Sequence, residues 1–155
     1  MFFRLYQPDD FPRLYALEEL CFEPPDRFGR RYMRALVQHA NAATWIAEEG
    51  WQMAGFAIVE WTQRRGGVTA YIQTIEVAPE ARGRGVGGEL LDRIEGSARA
   101  AGAHLIWLHA EAGNAAAIRL YEARGYLCEG RRENFYPEGR AALIYLKRLG
   151  LGSAS

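Results

Sequence analysis

Lysine is nearly missing from this chain of 155 residues: Lys147 is the only one, and arginine supplies the other 18 basic side chains. The 19 basic residues are balanced by 19 acidic ones, so the chain lacks the excess positive charge that attracts nucleic acids or anionic membranes. We therefore expect neither a nucleic acid nor a membrane as a partner.

Cysteine, histidine and long apolar runs are scarce as well. Cys21 and Cys128 are too few for a disulfide framework, and we expect two buried, reduced thiols. Together with three scattered histidines they lack the spacing of a metal site, so no metal is expected. No apolar run reaches the ~18 residues that span a bilayer, and the start does not resemble a signal peptide. These absences favour a cytoplasmic protein. The sequence does not determine the oligomeric state, and we expect a monomer or a homodimer.

What the chain does have is the composition of a globular domain, with 49% hydrophobic and 25% charged residues. We predict one α/β domain over residues 1–150 and a frayed tail at 151–155. Hairpins fill the first half and strand–helix–strand patterns the second. Residues 105–108 are almost continuously apolar, which predicts a strand buried on both faces. Strands are expected at 2–6, 44–47, 55–61, 68–77, 105–108, 126–130 and 142–146, and helices from 11, near 32–39, at 85–101 and at 115–123.

The most informative segment is a glycine-rich turn between a strand and a helix. It contains Gly83, Gly85, Gly87 and Gly88, with Arg82 and Arg84 between the strand and the helix. Glycines allow a ligand close to the backbone, and N–H groups at a helix start attract anions. The pattern predicts a phosphate site to which both arginines add positive charge.

Three kinds of phosphate ligand compete for this turn. A P-loop needs Lys and then Ser/Thr after its last glycine, but Glu89 follows Gly88. A dinucleotide fingerprint, G-x-G-x-x-G, fits literally, yet residues 79–82 separate it from its strand. The acidic residue expected about 20 positions onward is also missing, since that distance falls on Ala103 and His104. The third ligand is the pyrophosphate arm of coenzyme A.

Two motifs resemble the GNAT superfamily of acyl-CoA-dependent N-acyltransferases. Residues 82–87 (RGRGVG) match its Gln/Arg-x-x-Gly-x-Gly/Ala signature, and residues 114–126 (NAAAIRLYEARGY) are similar to its N-x-x-A-x-x-L-Y-E-x-x-G-F/Y block. The resemblance implies a mixed, mostly antiparallel sheet of six to seven strands with about four flanking helices. Its splayed central strands would form an acetyl-CoA cleft. The chain looks most like the bacterial ribosomal-protein alanine N-acetyltransferases.

The resemblance also implies roles for cofactor-binding residues. Backbone groups of Ile75, Glu76 and Val77 would pair with the pantetheine arm, and Val77 N–H would polarise the thioester carbonyl. Asn114 would hydrogen-bond the cofactor, although it is also a suitable helix N-cap. Tyr121 would reach the thioester sulfur as the general acid. The amides cradling the pyrophosphate would be those of Arg82, Gly83, Arg84, Gly85, Val86, Gly87 and Gly88.

The general base has several candidates. The similar subfamily has a glutamate five residues before its motif asparagine, but here that position is His109. Imidazole is a plausible base near neutral pH. Strand alternation places Glu111 on the same face, where it would orient His109 or replace it. Glu76, acting through water, is the third candidate.

The sequence says less about the acceptor than about the cofactor. Residues 131–137 (RRENFYP) resemble the R-R-x-N-Y-Y-P stretch that lines the subfamily's peptide site, which implies that Asn134 and Tyr136 bind the substrate. We expect the loop around Phe22 to form another wall. An N-terminal α-amine, a small-molecule amine and a lysine side chain all stay open as acceptors. A CoA-binding sensor without turnover and a dinucleotide-dependent oxidoreductase are the alternatives to this enzyme.

Overall fold

The computed structural model describes residues 1–150, so the tail expected at 151–155 lies outside the described residues. These residues form seven strands and four α-helices. The strands are β1 (Phe2–Leu5), β2 (Ala42–Glu49), β3 (Gln52–Arg64), β4 (Gly67–Val77), β5 (Ala103–Glu111), β6 (Leu127–Arg132) and β7 (Ala142–Arg148). The helices are α1 (Phe11–Cys21), α2 (Arg30–Gln38), α3 (Val86–Ala100) and α4 (Ala115–Ala123).

The strands build one sheet in the order β1-β2-β3-β4-β5-β7-β6. Every neighbouring pair is antiparallel except β4 and β5, which run parallel. Their pairing extends from Val68–Ala103 to Tyr71–Trp107 and no further within residues 1–150. The carboxyl-terminal half of β4 therefore separates from β5, and the predicted fold with its splayed central strands is confirmed.

Helix α3 packs across β2 and β3, and its apolar stripe explains why. Leu90, Leu91, Ile94 and Ala98 are fully buried, as i, i+4 and i+8 spacing on one helix face requires. Helices α1 and α2 contact β3 and β2 respectively. The sheet is thus covered by helices over β2–β4 and opens at the β4–β5 separation.

Several sequence-based expectations need correction. The segment 105–108 belongs to a longer strand, and only its Ile106 and Leu108 are fully buried, because their side chains face the core while the alternate side chains are half-buried. Helix α3 begins at Val86, since Gly85 has a left-handed φ of +82° that a helix cannot contain. Cys128 is exposed and Cys21 only half-buried, because β6 is an edge strand and Cys21 ends its helix beside a cavity.

No helix within residues 1–150 is long and apolar enough to cross a membrane.

Candidate active site

Two cavities meet where β4 and β5 separate. The first, here called the loop cavity, has a volume of about 210 Å³ and lies beneath the loop of residues 22–29. The second, the turn cavity, has a volume of about 350 Å³ and lies beside the glycine-rich turn. Both are lined by Phe22, Ile75, Asn114, Ala117 and Tyr121. A ligand in one cavity would therefore meet a ligand in the other beside these five residues.

The glycine-rich turn exposes unpaired backbone donors at the start of α3. Gly83 and Gly85 have φ values of +76° and +82°, which glycine adopts without strain. The first helical hydrogen bond runs from Glu89 N to Gly85 O at 3.1 Å. The preceding N–H groups, from Val86 to Gly88, consequently lack helical partners and form the positive end of the helix dipole. This end of α3 can bind an anion.

The two arginines of the turn differ in their availability. Arg84 forms an exposed ion pair with Glu49, at 2.7 Å between Nη2 and Oε2. Glu49 therefore competes with a ligand for Arg84, and the contribution of Arg84 to the phosphate site stays a prediction. Arg82 donates from Nε to the carbonyl of Val77 at 3.0 Å and lines the turn cavity. Arg82 thus fastens the turn to the end of β4.

Helix α4 places Asn114 and Tyr121 on one side of the cleft. Asn114 caps the helix, its Oδ1 accepting from Ala117 N at 3.1 Å, and this leaves its amide nitrogen as a donor. Asn114, Ala117 and Tyr121 are spaced i, i+3 and i+7, so they share a helix face. Burial raises the pKa of Tyr121 well above its usual value. The phenol therefore stays protonated and can donate a hydrogen bond at neutral pH.

His109 lies in the loop cavity between aromatic side chains. Its ring stacks on Phe135 with centroids 4.2 Å apart, and its Nδ1 is 2.8 Å from the hydroxyl of Tyr71. The other nitrogen, Nε2, is buried and has no hydrogen-bond partner within residues 1–150. Burial, and to a smaller extent the charge of Arg132, lower the pKa of His109 below 6.5. The imidazole is therefore neutral at pH 7. Its Nε2 can accept a proton in the tautomer whose Nδ1–H donates to the Tyr71 hydroxyl.

Glu111 does not orient His109 as expected, because Tyr71 occupies Nδ1. Its carboxylate instead lies 3.2 Å from Arg140 Nη1. The other terminal nitrogen of Arg140, Nη2, lies 2.5 Å from Asp26 Oδ1 in the 22–29 loop. Asp26, Arg140 and Glu111 thus form an ion-pair bridge that joins the 22–29 loop, the β6–β7 connection and the end of β5 across the loop cavity.

A β-bulge turns Glu76 toward the side of the sheet that α1 and α2 cover. Thr74 pairs with Ile58 while Ile72 pairs with Val59, so Gln73 is the extra residue of β4. Glu76 is 3% exposed, and its Oε2 accepts from Thr74 Oγ1 at 2.9 Å. Burial first, and then the hydrogen bond and charge of Glu18 on α1, raise the pKa of Glu76 well above its usual value. Glu76 lines the turn cavity and Glu18 lines the loop cavity.

Most of the remaining predicted residues also reach these cavities. Phe22 lines both cavities, and Tyr136 lines the loop cavity, where its hydroxyl lies 3.4 Å from the carbonyl of His109. Asn134 is the exception, and its role in binding the substrate stays a prediction. It lines neither cavity, and its left-handed φ of +54° shapes the turn after β6. Val77, Arg82 and Gly87 line the turn cavity, whereas Gly83, Arg84, Gly85, Val86 and Gly88 form the turn beside it.

Sequence reasoning missed Tyr71, Glu18, Asp26 and Arg140. Of these four, only Glu18 could have been predicted from the sequence. It follows Leu14 by four residues and so falls on the apolar face of α1, where a lone carboxylate needs a partner. The others act through contacts between distant segments. In the described part of the chain, no three His, Cys, Asp or Glu side chains are grouped to hold a metal ion.

Comparison with known proteins now identifies the family. Residues 11–126, about three quarters of the chain, match the acetyltransferase (GNAT) family. The chain belongs to the GNAT acetyltransferase family. The [ribosomal protein bS18]-alanine N-acetyltransferase of Escherichia coli strain K12 is 34% identical over 147 residues, which cover 88% of this chain and 89% of the relative.

One further relative and one solved structure are also similar to this chain. The streptothricin acetyltransferase of Streptomyces lavendulae is 35% identical over 145 residues, covering 83% of this chain and 74% of the relative. The crystal structure of Arabidopsis thaliana NAA60 in complex with a bisubstrate analogue superposes with a TM-score of 0.86 at 21% identity, covering 96% of this chain and 98% of that one. The latter likeness shows the GNAT fold alone.

Proposed function

We propose that this acetyl-CoA-dependent N-acetyltransferase transfers the acetyl group to the N-terminal α-amine of a protein or peptide. The lowered pKa of His109 is the observation that favours an α-amine over a lysine side chain as the acceptor. An α-amine has a pKa near 8 and a lysine side chain one near 10.4. A weak base can deprotonate the first far more readily than the second. The bS18-alanine N-acetyltransferase relative, named for an alanine acceptor, supports the same choice.

The cofactor would lie in the turn cavity. The N–H groups between Arg82 and Gly88 offer donors for the pyrophosphate, and backbone groups of Ile75, Glu76 and Val77 face the pantetheine arm. The amide nitrogen of Asn114 supplies a further donor. This arrangement brings the thioester to the junction with the loop cavity, beside Tyr121.

The acceptor amine would enter the loop cavity and attack the thioester directly. His109 Nε2 takes a proton from the ammonium group, the nitrogen forms a bond to the carbonyl carbon, and Val77 N–H stabilises the oxyanion. The carbon–sulfur bond then breaks, Tyr121 donates its proton to the leaving thiolate, and the proton that the new amide nitrogen loses returns to Tyr121 through solvent. Glu76, with its raised pKa, and Glu111, held by Arg140, are the alternative bases.

An acyl-enzyme on Cys21 is disfavoured. Its thiol lines the turn cavity, but burial and, to a smaller extent, the neighbouring Glu76 raise its pKa. The thiol is therefore protonated at neutral pH and is a poor nucleophile. Direct transfer in a ternary complex predicts intersecting double-reciprocal plots when acetyl-CoA and acceptor are both varied.

A small-molecule amine is the second candidate acceptor, favoured by the similarity to the streptothricin acetyltransferase. Thiol release from acetyl-CoA distinguishes the two when kcat/KM is measured with peptides bearing free N-termini and with small amines. We expect the peptides to be the better substrates. Higher kcat/KM for small amines would overturn the proposal, and tight CoA binding without any thiol release would indicate a CoA-binding module. Cytoplasmic location and a monomeric or homodimeric state stay predictions.

Gly85→Ala should weaken acetyl-CoA binding about tenfold or more, which corresponds to about 1.4 kcal/mol. Alanine disfavours the φ of +82°, and its Cβ would occupy open space at the start of α3, where we place the pyrophosphate. Titration calorimetry with CoA measures the effect. Gly96→Ala is the matched control, because Gly96 lies inside α3 without a left-handed φ and its Cβ would also meet nothing within 4 Å. Equal affinity of the two variants would contradict the proposed cradle.

Arg140→Gln should raise the KM for a peptide acceptor about fivefold and leave that for acetyl-CoA unchanged. The substitution removes both ion pairs that hold the 22–29 loop to the β6–β7 connection and the end of β5, so the loop is positioned less firmly for the acceptor. Added salt should raise KM in the parent protein and have little effect in the variant. Arg131→Gln serves as control, since Arg131 pairs with Glu133 two residues away and joins no separate segments. A KM that does not respond to Arg140→Gln would exclude a role for the bridge.

A further inference from the structure

The buried polar atoms without partners are concentrated at the proposed site. Within residues 1–150 there are three such side-chain atoms: Glu18 Oε1, Glu76 Oε1 and His109 Nε2. His109 is the base in the proposed reaction, whereas Glu76 is only an alternative base and Glu18 has no role in it. Glu18 is 1% exposed and Glu76 3% exposed. Two buried carboxylates in contact, each with one unsatisfied oxygen, need an explanation because like charges in the interior repel strongly.

One proton shared between the two carboxyl groups satisfies both oxygens. Helix α1 packs against β4, and, after the larger effect of burial, Glu18 raises the pKa of Glu76 through a side-chain hydrogen bond and its charge. If one is protonated, its O–H donates to the other, and the pair keeps a single negative charge. The opposite oxygens already accept hydrogen bonds, Glu76 Oε2 from Thr74 Oγ1 and Glu18 Oε2 from Phe28 N, both at 2.9 Å.

Glu18 also contacts the loop of residues 22–29, which covers the loop cavity. Phe28 lies near the end of that loop and lines the cavity. Helix α1 holds both backbone groups of Phe28: Glu18 accepts from its N–H, and the hydroxyl of Tyr15 donates to its carbonyl at 2.8 Å. The same Glu18 contacts β4 through Glu76, between Ile75 and Val77 of the proposed pantetheine site.

We propose that Glu18 and Glu76 share one proton, and that this pair makes Glu18 a positioning residue that joins the 22–29 loop to the cofactor strand β4. The inference rests on the proposed function for its effect on the acceptor, since it assigns the loop cavity to the amine. The pair keeps the loop in the position that receives the acceptor. Loss of the shared proton leaves two adjacent buried charges and weakens that connection.

The charged and titratable groups around the pair do not replace this proton. Cys21 lies beside it on α1, with a raised pKa, and Arg82 contacts the Cys21 sulfur at 3.7 Å from the turn after β4. His109 and Tyr121 line the loop cavity together with Glu18, and Tyr121 lines the turn cavity together with Glu76. Because the folded pKa of Glu76 is raised, the proton stabilises the folded state below that pKa, and its contribution is lost as pH rises through it.

Two substitutions at Glu18 separate these roles. In Glu18→Gln the amide oxygen can accept from Phe28 N and the amide nitrogen can donate to Glu76, so both contacts persist without a shared proton. Glu18→Ala removes both contacts. Glu19→Gln is the matched control, because Glu19 is the adjacent residue of α1 and is exposed.

The experiment combines spectroscopy, hydrogen exchange and kinetics on the full chain. Infrared spectra at pH 7 should show the C=O band of a protonated carboxylic acid in the parent and Glu19→Gln, and lose it in Glu18→Gln and Glu76→Gln. The Phe28 amide should exchange about tenfold faster in Glu18→Ala and stay protected in Glu18→Gln. The KM for the acceptor should rise about tenfold in Glu18→Ala and in no other variant, while the KM for acetyl-CoA stays unchanged. At alkaline pH, the KM for the acceptor should rise more in the parent protein than in Glu18→Gln.

The readouts keep the two proposals distinguishable. A band that persists in both Gln variants, or Phe28 protection that is unaffected by Glu18→Ala, would overturn the shared pair. If Glu18→Ala does not fold, the infrared comparison and the pH dependence of Glu18→Gln still decide. Absence of acetyl transfer by the parent protein would refute the proposed function, whereas the infrared and exchange results would stand independently.

Discussion

Tyr121→Phe should lower kcat about 100-fold or more while the KM for each substrate changes little. The hydroxyl is the group that we expect to stabilise the leaving thiolate, and general acid catalysis typically contributes about 10²–10⁴-fold. Because burial raises the pKa of Tyr121, the hydroxyl is protonated throughout the neutral range. The effect should therefore be a loss of rate at all pH values near neutrality, measured from initial rates of thiol release.

Tyr145→Phe is the matched control for that loss. Tyr145 is also buried and lies near Tyr121, with ring centroids 6.4 Å apart, but its hydroxyl donates to Glu122 and lines neither cavity. We expect its kcat to stay near that of the parent. An undiminished rate in Tyr121→Phe would remove the acid role, and an equal loss in both variants would indicate a packing effect instead.

His109→Ala should lower kcat by about 10²-fold or more and abolish the acidic limb of the pH–rate profile. A general base acts in its deprotonated form, so the rate falls as pH drops through its pKa. Burial and Arg132 lower the pKa of His109, which places this limb below pH 6.5 in the parent protein. The measurement is kcat/KM for the acceptor between about pH 5 and 9.

Arg132→Gln provides a directional check on the same assignment. Removing the positive charge favours the protonated imidazole, so the acidic limb should move to higher pH while the maximal rate is kept. An acidic limb that survives in His109→Ala would assign the base to Glu76 or Glu111, and Glu76→Gln and Glu111→Gln would then identify which.

The sequence was informative where the site is built from neighbouring residues. The glycine turn and helix α3 follow each other directly, and Asn114 and Tyr121 lie on one helix at a spacing that places them on one face. Their positions beside the turn cavity could therefore be predicted from motif spacing. The separation of β4 and β5 could be predicted only from the resemblance to the GNAT family.

The parts that could not be predicted depend on contacts between distant segments. Tyr71 and His109 are 38 residues apart, and Asp26 and Arg140 are 114 apart. Strand alternation alone would place Glu76 and Tyr71 on opposite faces, and the bulge at Gln73 reverses this. Periodicity cannot predict which of two facing carboxylates keeps a proton, because that depends on burial in the folded chain.

The most direct test of the account is to locate the acetyl group on a peptide that offers both a free N-terminal α-amine and a lysine side chain. Tandem mass spectrometry after incubation with acetyl-CoA gives the position, and parallel thiol titration gives the stoichiometry. We predict acetylation of the α-amine, with one CoA thiol released per acetyl group transferred. Acetylation confined to the lysine, or thiol release without an acetylated peptide, would contradict the account.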